Sequence, residues 1–177
     1  MTMRQPVTEE QFAGMFRTFR LTASRLETQP AYAMTVERAA FARFLAGAPL
    51  PPGELPWWQS WLDDMRELTR RGKRISRVRI VDDPPTDYQR WEMWATRWHL
   101  QAGEDIRYLP RATAGTLGIP AGDWWLFDDT RLVLMAFTSA GEIDGKTLVT
   151  DPEVIAAYQR WRDLAFRHAA PAEAIPA

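Results

Sequence analysis

Residues 75–109 read ISRVRIVDDPPTDYQRWEMWATRWHLQAGEDIRYL, and this stretch decides the fold class. It opens with Ile75 to Val81, where apolar and polar side chains alternate with the period of a strand. Gly72 precedes this run and Asp83-Pro84-Pro85 follows it, so residues that interrupt regular structure stand at both ends. The pattern predicts a strand over 75–81, with successive side chains on opposite faces.

A helix and a second strand follow within the same stretch. Thr86-x-x-Gln89 is a capping box, in which each side chain satisfies a backbone amide at the start of a helix. Apolar residues at helical spacing continue to about Ala102, and Gly103 ends the helix. Asp105 to Leu109 then has the pattern of a short strand. A strand, a helix and a strand at this spacing form a right-handed βαβ unit with parallel strands.

The rest of the chain adds further helices and an antiparallel sheet. Helices are predicted after the capping box Thr8-x-x-Gln11, from Thr35 to Ala46, from Pro56 to Gly72, and after Asp151-Pro152. Strands are predicted at Phe19 to Leu26, Asp123 to Phe127, Arg131 to Phe137 and Ile143 to Val149, with hairpin turns at 128–130 and 139–141. We therefore predict an α+β fold: a central mixed β-sheet, with one parallel βαβ unit followed by an antiparallel meander, packed with helices.

A chain of 177 residues fits a single domain over 1–177, since domains usually hold about 100–200 residues. Hydrophobic residues make up 46% and charged residues 25%, which is the composition of an ordinary globular protein. We expect the packed core over about residues 7–169 and a frayed C-terminal tail over 171–177.

Charge and composition argue against several classes of protein. The 22 lysines and arginines are balanced by 23 acids, giving a net charge of -1, and no helix-turn-helix pattern appears, so direct nucleic-acid binding is not predicted. Without cysteine there is no disulfide, thiolate zinc site or cysteine nucleophile. No apolar leader and no run of about 18 apolar residues occurs, so we expect a cytoplasmic protein without a membrane span.

Basic residues concentrate between 66 and 79, and this segment is the candidate for an anion site. Alternation places Arg77 and Arg79 on one face of the strand, near Arg107 of the neighbouring strand, with Tyr88 at the start of the intervening helix. These four residues are the predicted site for an anionic or phosphate-bearing small ligand. The alternative is an internal salt-bridge network in which nearby acids compensate the arginines. The candidate acids are Glu104, Asp123 and Asp128.

Nine tryptophans are an unusual number for this length. Large aromatic side chains dominate both protein cores and protein interfaces. Trp57, Trp58 and Trp98 lie at helix ends or off the best apolar phase, so we predict that they form a patch for a protein partner, with a patch for stacking on a ligand as the alternative. The other helical tryptophans have the spacing of core residues.

Patterns for catalysis and for metal binding are missing. His99 and His168 lack the spacing of a zinc site. Asp128 and Asp129, beside Asp123, offer the oxygen ligands that a divalent cation prefers, but a hairpin turn also recruits aspartate, and we favour the turn. There is no nucleophile-elbow, phosphate-loop or dinucleotide motif. We predict no catalytic residue, no metal and no cofactor.

Several runs of the sequence resemble an actinobacterial family of unknown function. They are Arg74-Ile-Ser-Arg-Val-Arg-Ile-Val81, Gly103-Glu-Asp-Ile-Arg-Tyr-Leu-Pro-Arg111, Asp123-Trp-Trp-Leu-Phe-Asp-Asp129, Phe41-Ala-Arg-Phe-Leu-Ala-Gly47 and Tyr158-Gln-Arg-Trp-Arg-Asp163. The resemblance covers nearly the whole chain. Members of that family are often encoded near helix-turn-helix regulators and small companion proteins, which implies a regulatory or interaction role with such a regulator as the partner.

More distantly, the chain is similar to the half-domain of phospholipase D-like proteins, which include non-catalytic sensors. A strand before an aromatic helix, Gly-Glu-Asp-Ile-Arg at 103–107 and Leu-Phe-Asp-Asp-x-Arg-Leu-Val-Leu at 126–134 carry this similarity. Catalytic members need His-x-Lys followed by Asp. Here His99 precedes Leu-Gln, and His168 precedes Ala-Ala, so the resemblance implies the fold without the chemistry.

Three functions are consistent with these observations. The first is a non-catalytic regulatory module that acts through contact with a protein partner. The second is a sensor of an anionic small ligand at the arginines. The third is a degenerate phosphoesterase, for which the sequence shows no converging acid, base and nucleophile.

Overall fold

The computed structural model describes residues 4–174. Its strands are β1 Arg4–Pro6, β2 Thr22–Glu27, β3 Arg74–Val81, β4 Asp105–Pro110, β5 Asp123–Phe127, β6 Arg131–Phe137, β7 Ile143–Val149 and β8 Ala170–Pro171. Its α-helices are α1 Glu9–Thr18, α2 Arg38–Leu45, α3 Pro56–Arg70, α4 Asp87–Gln101, α5 Arg111–Thr116 and α6 Pro152–His168. Short 3-10 turns lie at Thr35–Glu37, Pro52–Glu54 and Ala172–Ala174. Over this part of the chain, no helix has the length and apolar character needed to cross a membrane.

The strands form one mixed sheet in the order β1-β7-β6-β5-β2-β3-β4-β8. β2, β3 and β4 are parallel, and β5, β6 and β7 form the antiparallel meander that joins them at β2. This arrangement confirms the α+β class, the parallel βαβ unit and the meander. The parallel part is larger than predicted, because β2 also runs parallel to β3.

Helices cover both faces of the sheet. The front face, which carries Arg25 and Trp125, packs against α1, α3 and α4. The back face, which carries Leu26 and Trp124, packs against α5 and α6. The sheet is therefore the middle of three layers, and its strands contribute side chains to two separate cores.

Local signals in the sequence place the main helices correctly. Thr8 and Gln11 form the predicted capping box at the start of α1, and Thr86 and Gln89 form the second one at the start of α4. The side chain of Asp151 caps α6. Because α4 starts and stops where its caps dictate, β3 and β4 are brought side by side in parallel register.

Two predicted boundaries are corrected near the N-terminal half. The helix expected from Thr35 begins as a 3-10 turn without a side-chain cap and becomes α-helical at Arg38. The strand expected over 19–26 lies at 22–27, because the carboxylate of Asp128 accepts the amides of Arg20 and Leu21, each at 2.7 Å, outside the sheet ladder.

The C-terminal segment is ordered further than expected. Ala170 and Pro171 pair with β4, and Ala172 is buried against the end of the sheet. The expectation of a frayed tail is therefore wrong for residues 171–174, because this segment covers the edge of β4. Residues 175–177 lie outside the described part of the chain. At the other edge, β1 adds a strand before residue 7, where none was predicted.

Candidate functional site

A cavity of about 450 Å³ lies between the front face, the helices α1, α3 and α4, and the loop 28–37. Much of its lining is aromatic. The aromatic residues that line it are Phe12, Phe16, Tyr32, Trp57, Trp58, Trp61, Tyr88, Trp91, Trp125 and Phe137. Two exposed apolar side chains, Met34 and Val36, stand at its rim.

Charged side chains of two neighbouring strands form the floor of the cavity. Glu27 of β2 accepts hydrogen bonds from Arg79 at 2.7 Å and from Arg77 at 3.1 Å. Arg25, on the same strand as Glu27, donates to it at 3.2 Å. β2 and β3 are in parallel register here, so Arg25 lies beside Arg77 and Glu27 beside Arg79. One carboxylate therefore holds three guanidinium groups.

Two further acids complete this network. Asp123 accepts from Arg25 at 2.9 Å, and Glu104 accepts from Arg77 at 2.7 Å. Both acid side chains are fully buried. Burial opposes the ionisation of Glu104, but the charge of Arg77 and the hydrogen bonds from His99 and Arg77 together outweigh it and lower the pKa of Glu104 to about 2. Three buried arginines are thus matched by three buried carboxylates, and we refer to these six groups as the ionic floor.

His99 is buried beside the ionic floor. Its Nδ1 lies 2.8 Å from Glu104, and its Nε2 is 3.2 Å from the indole Nε1 of Trp58. Burial lowers the pKa of His99, so the ring is neutral at pH 7. The indole can only donate, so Nε2 accepts from Trp58 and Nδ1 donates to Glu104. Both ring nitrogens are engaged within the protein.

Two further acids line the cavity but do not belong to the ionic floor. Glu92 approaches Arg79 at 3.6 Å, beyond hydrogen-bond distance, and within residues 4–174 its carboxylate accepts no hydrogen bond. Glu37 accepts the hydroxyl hydrogen bond of Tyr88 at 2.6 Å. Burial raises the pKa of Glu37, and burial together with the charges of Glu27 and Glu37 raises the pKa of Glu92 to about 8, against the opposing effect of Arg79.

Aromatic rings pack around these two acids. Tyr88 contacts Tyr32 edge to face at 5.7 Å and Trp91 at 5.4 Å between ring centroids. Tyr32 also donates its hydroxyl hydrogen bond to Asp123 at 2.5 Å, which ties the loop 28–37 to the ionic floor. We refer to Glu37, Glu92, Tyr32, Tyr88 and Trp91 as the acidic corner.

Of the predicted ligand residues, Arg77, Arg79 and Tyr88 line the same cavity. Arg107 does not join them, because it lies in register with Val78, whose side chain is on the back face. There Arg107 pairs with Asp105 at 3.0 Å. The expectation that it lies near the other two arginines is wrong, since a one-residue offset along a strand reverses the face of a side chain.

The predicted tryptophan patch is only partly at the surface. Trp58 is buried, because its indole donates to His99 and its ring packs in the front core. Trp57 and Trp98 are half-buried, with Trp57 stacked on Trp58 at 6.0 Å and Trp98 edge to face with it at 5.3 Å. The guanidinium of Arg97 lies 4.2 Å from the ring centre of Trp98.

The three aspartates weighed as a cation site have separate partners. Asp123 belongs to the ionic floor, Asp128 accepts backbone amides of residues 20–22, and Asp129 pairs with Arg162. Both turn aspartates have positive φ, as a tight hairpin requires. Over the described residues, no group of three or more potential ligands is placed to hold a metal ion.

Sequence reasoning missed Arg25, Glu27 and Glu92. A signal for the first two is present: they stand two residues apart, as Arg77 and Arg79 do, so they occupy one face of a strand. Glu92 has no such signal, because it follows Trp91 on a helix with polar residues on several sides.

A family model matches residues 10–174, which span seven of the eight described strands and every residue of the ionic floor. The chain belongs to the DUF6879 family, described as a domain of unknown function. No protein of curated function matches the sequence significantly. Membership in DUF6879 agrees with the resemblance to a family of unknown function, and it assigns no activity.

Solved structures show which fold the DUF6879 chain shares. Nuc from Salmonella typhimurium, a phospholipase D family member, aligns over 97% of this chain and 98% of its own, with 10% identity and a TM-score of 0.53. TrmBL2, an archaeal chromatin protein, aligns over 95% of this chain and 52% of its own, with 8% identity and a TM-score of 0.50. Phosphatidylserine synthase from Haemophilus influenzae Rd KW20 aligns over 96% of this chain and 39% of its own, with 10% identity and a TM-score of 0.50. At these identities the likeness shows a phospholipase D-like fold.

Replacing Glu27 with Gln is expected to destabilise the protein by about 3–5 kcal/mol, because buried arginines then lose their common counter-charge. The charges of Arg79, Arg77 and Arg25 outweigh burial and lower the pKa of Glu27, so its contribution is complete above pH about 4.5 and is lost as the pH falls below that value. Denaturant unfolding at pH 7 measures the change. The matched control is Glu67→Gln, which removes a partly exposed surface acid bridging Arg70 and Arg71 and should change little. Equal effects of the two substitutions would contradict the role of Glu27.

Replacing Glu92 with Gln is expected to stabilise the protein increasingly as the pH rises from about 4.5 to 8. The folded-state pKa of Glu92 is raised, so its favourable contribution is present below the unfolded-state value and is lost as the pH rises through about 8. The stability of the native protein relative to Glu92→Gln should fall by at most about 1.4 kcal/mol per pH unit over this window. Urea unfolding of both proteins at several pH values checks this, with exposed Glu142→Gln as the control. Parallel pH profiles for native protein and Glu92→Gln would contradict it.

Proposed function

We propose that this domain is a non-catalytic sensor that binds a small molecule in the front-face cavity. The observation that carries the proposal is the cavity itself, whose volume of about 450 Å³ lies within the roughly 300–1,000 Å³ of typical ligand sites. Such sites combine apolar walls with a few placed polar groups, as the aromatic lining and the acidic corner do here.

His99 and the arginines at the cavity are already hydrogen-bonded within the protein, and this supports ligand binding without catalysis. His99 has both ring nitrogens engaged, so it lacks the free nitrogen that a phosphoryl acceptor needs. Each arginine of the ionic floor already donates at least two hydrogen bonds to protein groups. The likeness to Nuc supports a shared fold, on which a different site is built.

Blocking the cavity tests this proposal. Ala95 lines the cavity from α4, so Ala95→Leu fills part of it. We expect fragments that bind the native protein to shift the indole N–H signals of the cavity tryptophans in nitrogen–proton NMR spectra. Ala95→Leu should weaken that binding about tenfold or more, because the ligand loses the space it occupied.

Two further variants keep this test interpretable. Val36→Trp obstructs the exposed rim and should weaken the same fragments even if Ala95→Leu folds poorly. Ala39→Leu, on the exposed side of α2, is the control and should bind them normally. Fragments that bind both blocked variants as well as the native protein, or that shift only signals remote from the cavity, would rule the proposal out.

A second candidate function is contact with a protein partner, as predicted from the sequence. The observation that favours it is the position of Trp57, which is half-buried and also lines the cavity, so the surface and the ligand site share one side chain. The resemblance to a family encoded near helix-turn-helix regulators supports a regulator of that kind as the partner. In this form, the domain reports ligand binding to a protein that contacts DNA.

Affinity purification from the native host at low salt tests the partner. We expect the native protein to retain one regulator in stoichiometric amount, identified by mass spectrometry, and the double variant Trp57→Ala with Trp98→Ala to lose it. Trp161→Ala, a half-buried tryptophan on α6 at the back of the sheet, is the matched control. Retention by the double variant, or loss from the control, would contradict an interface at Trp57 and Trp98.

A further inference from the structure

Some acidic side chains around the cavity are hydrogen-bonded to a cation of the protein, and others are not. The ionic floor is balanced, with three arginines and three carboxylates joined by short hydrogen bonds. Lys146, at another wall, pairs with Glu9. Glu37 and Glu92 remain, and within residues 4–174 neither has a cation at hydrogen-bond distance. Ionising a half-buried carboxyl group in such a position is costly unless a positive group comes within hydrogen-bond distance of it.

The aromatic rings of the cavity also differ in whether a cation of the protein lies over them. The protein's own cations cover other rings of the cavity: Arg77, in the ionic floor, lies 5.2 Å from the centre of Trp61, and Lys146, at another wall, lies 5.1 Å from the centre of Phe12. In the acidic corner, among the described residues, no lysine or arginine lies over the rings of Tyr32, Tyr88 or Trp91. Aromatic rings beside carboxylates are the environment that organic cations prefer.

We infer that the ligand of this cavity is an organic cation, an alkylammonium group carried on an apolar or aromatic body, with its charge held in the acidic corner by Glu37 and Glu92. This inference rests on the proposed function and names its ligand class. The aromatic walls accommodate the body, and the exposed apolar side chains of Met34 and Val36 stand where it enters.

An anionic ligand fits the same cavity less well. Arg77 and Arg79 were predicted from the sequence to bind an anion. In the structure, their guanidinium groups donate hydrogen bonds to Glu27, Glu104 and Thr96. An anion would have to displace these partners, leaving a buried carboxylate without its counter-charge, and it would lie beside the carboxyl groups of Glu37 and Glu92, which offer it no positive charge.

Binding of a cation is coupled to a proton. The charged and titratable groups that face Glu92 are Arg77 and Arg79 from β3, Glu27 from β2, Tyr32 and Glu37 from the segment 28–37, and Tyr88 from its own helix. With its pKa near 8, Glu92 is mostly protonated at pH 6 and mostly ionised at pH 9. A cation that pairs with the ionised form therefore binds more tightly as the pH rises.

Three probes that share a phenylethyl body and differ in charge test the inference. They are 2-phenylethylamine, 2-phenylethanol and 3-phenylpropanoate, which are cationic, neutral and anionic at pH 7. Titrations followed by the indole N–H signals should give the tightest binding for the amine. Its affinity should rise about tenfold between pH 6 and pH 9, because we expect the neutral form of Glu92, which prevails at pH 6, to bind the cation about tenfold more weakly than the ionised form that prevails at pH 9. The affinity of the alcohol should stay constant over the same range.

Variants separate the charge of the corner from its shape. Glu92→Gln should weaken the amine about tenfold at pH 9 and abolish its pH dependence, while the affinity of 2-phenylethanol is unchanged. A variant that merely disturbed the cavity would weaken both probes. Glu37→Gln should weaken binding of the amine as well. Glu142 is an exposed acid next to the 139–141 turn, and Glu142→Gln should leave the binding of all three probes unchanged.

The outcomes distinguish this inference from the proposed function. If the alcohol or the carboxylate binds as tightly as the amine, the cavity is a ligand site and the cationic ligand class is wrong. If none of the three probes shifts a cavity signal at millimolar concentration, the cationic ligand class is overturned and the proposed ligand site is contradicted with it.

Discussion

The front of this protein depends on the burial of one carboxylate. Glu27 accepts hydrogen bonds from three arginines on two adjacent parallel strands, in a position that is almost closed to water. Buried charges are tolerated when each has a partner, so the remaining donors of these arginines must also be satisfied. Glu104, just after α4, and Asp123, at the start of β5, supply the missing charges. The ionic floor therefore fixes how α4 and the meander meet the parallel strands.

The same floor determines what the cavity above it can do. Because its arginines and acids neutralise each other, they contribute shape and rigidity more than free charge. The imidazole of His99 is held between Trp58 and Glu104 by hydrogen bonds to both ring nitrogens, so neither nitrogen is free to act as a nucleophile. In the acidic corner, among the described residues, neither carboxyl group has a cation at hydrogen-bond distance, and this is where we propose that the positive charge of a ligand binds on a fold shared with phospholipase D-like proteins.

The acidic corner and the half-buried tryptophans adjoin each other through the cavity wall. Trp57 lines the cavity and stacks on Trp58, whose indole reaches the ionic floor through His99. A ligand that packs on Trp57 contacts a side chain that is also partly exposed at the protein surface. A contiguous set of packed side chains therefore joins the proposed ligand site to the proposed partner surface.

The sequence by itself determined the main helices, most of the strands and the parallel pairing of β3 with β4, because capping boxes, the glycine after α4 and the alternation of β3 are local patterns that act over a few residues. It also placed Arg77 and Arg79 on one face and named Glu104 and Asp123 as possible partners. Tertiary structure decided the rest. Arg107 lies on the back face because of a register set by neighbouring strands, and Trp58 is buried by a contact across two helices. Glu27, which stands 50 residues before Arg77, is the centre of the ionic floor. Charge balance inside a protein depends on distances between segments remote in sequence, and only the folded chain defines those distances.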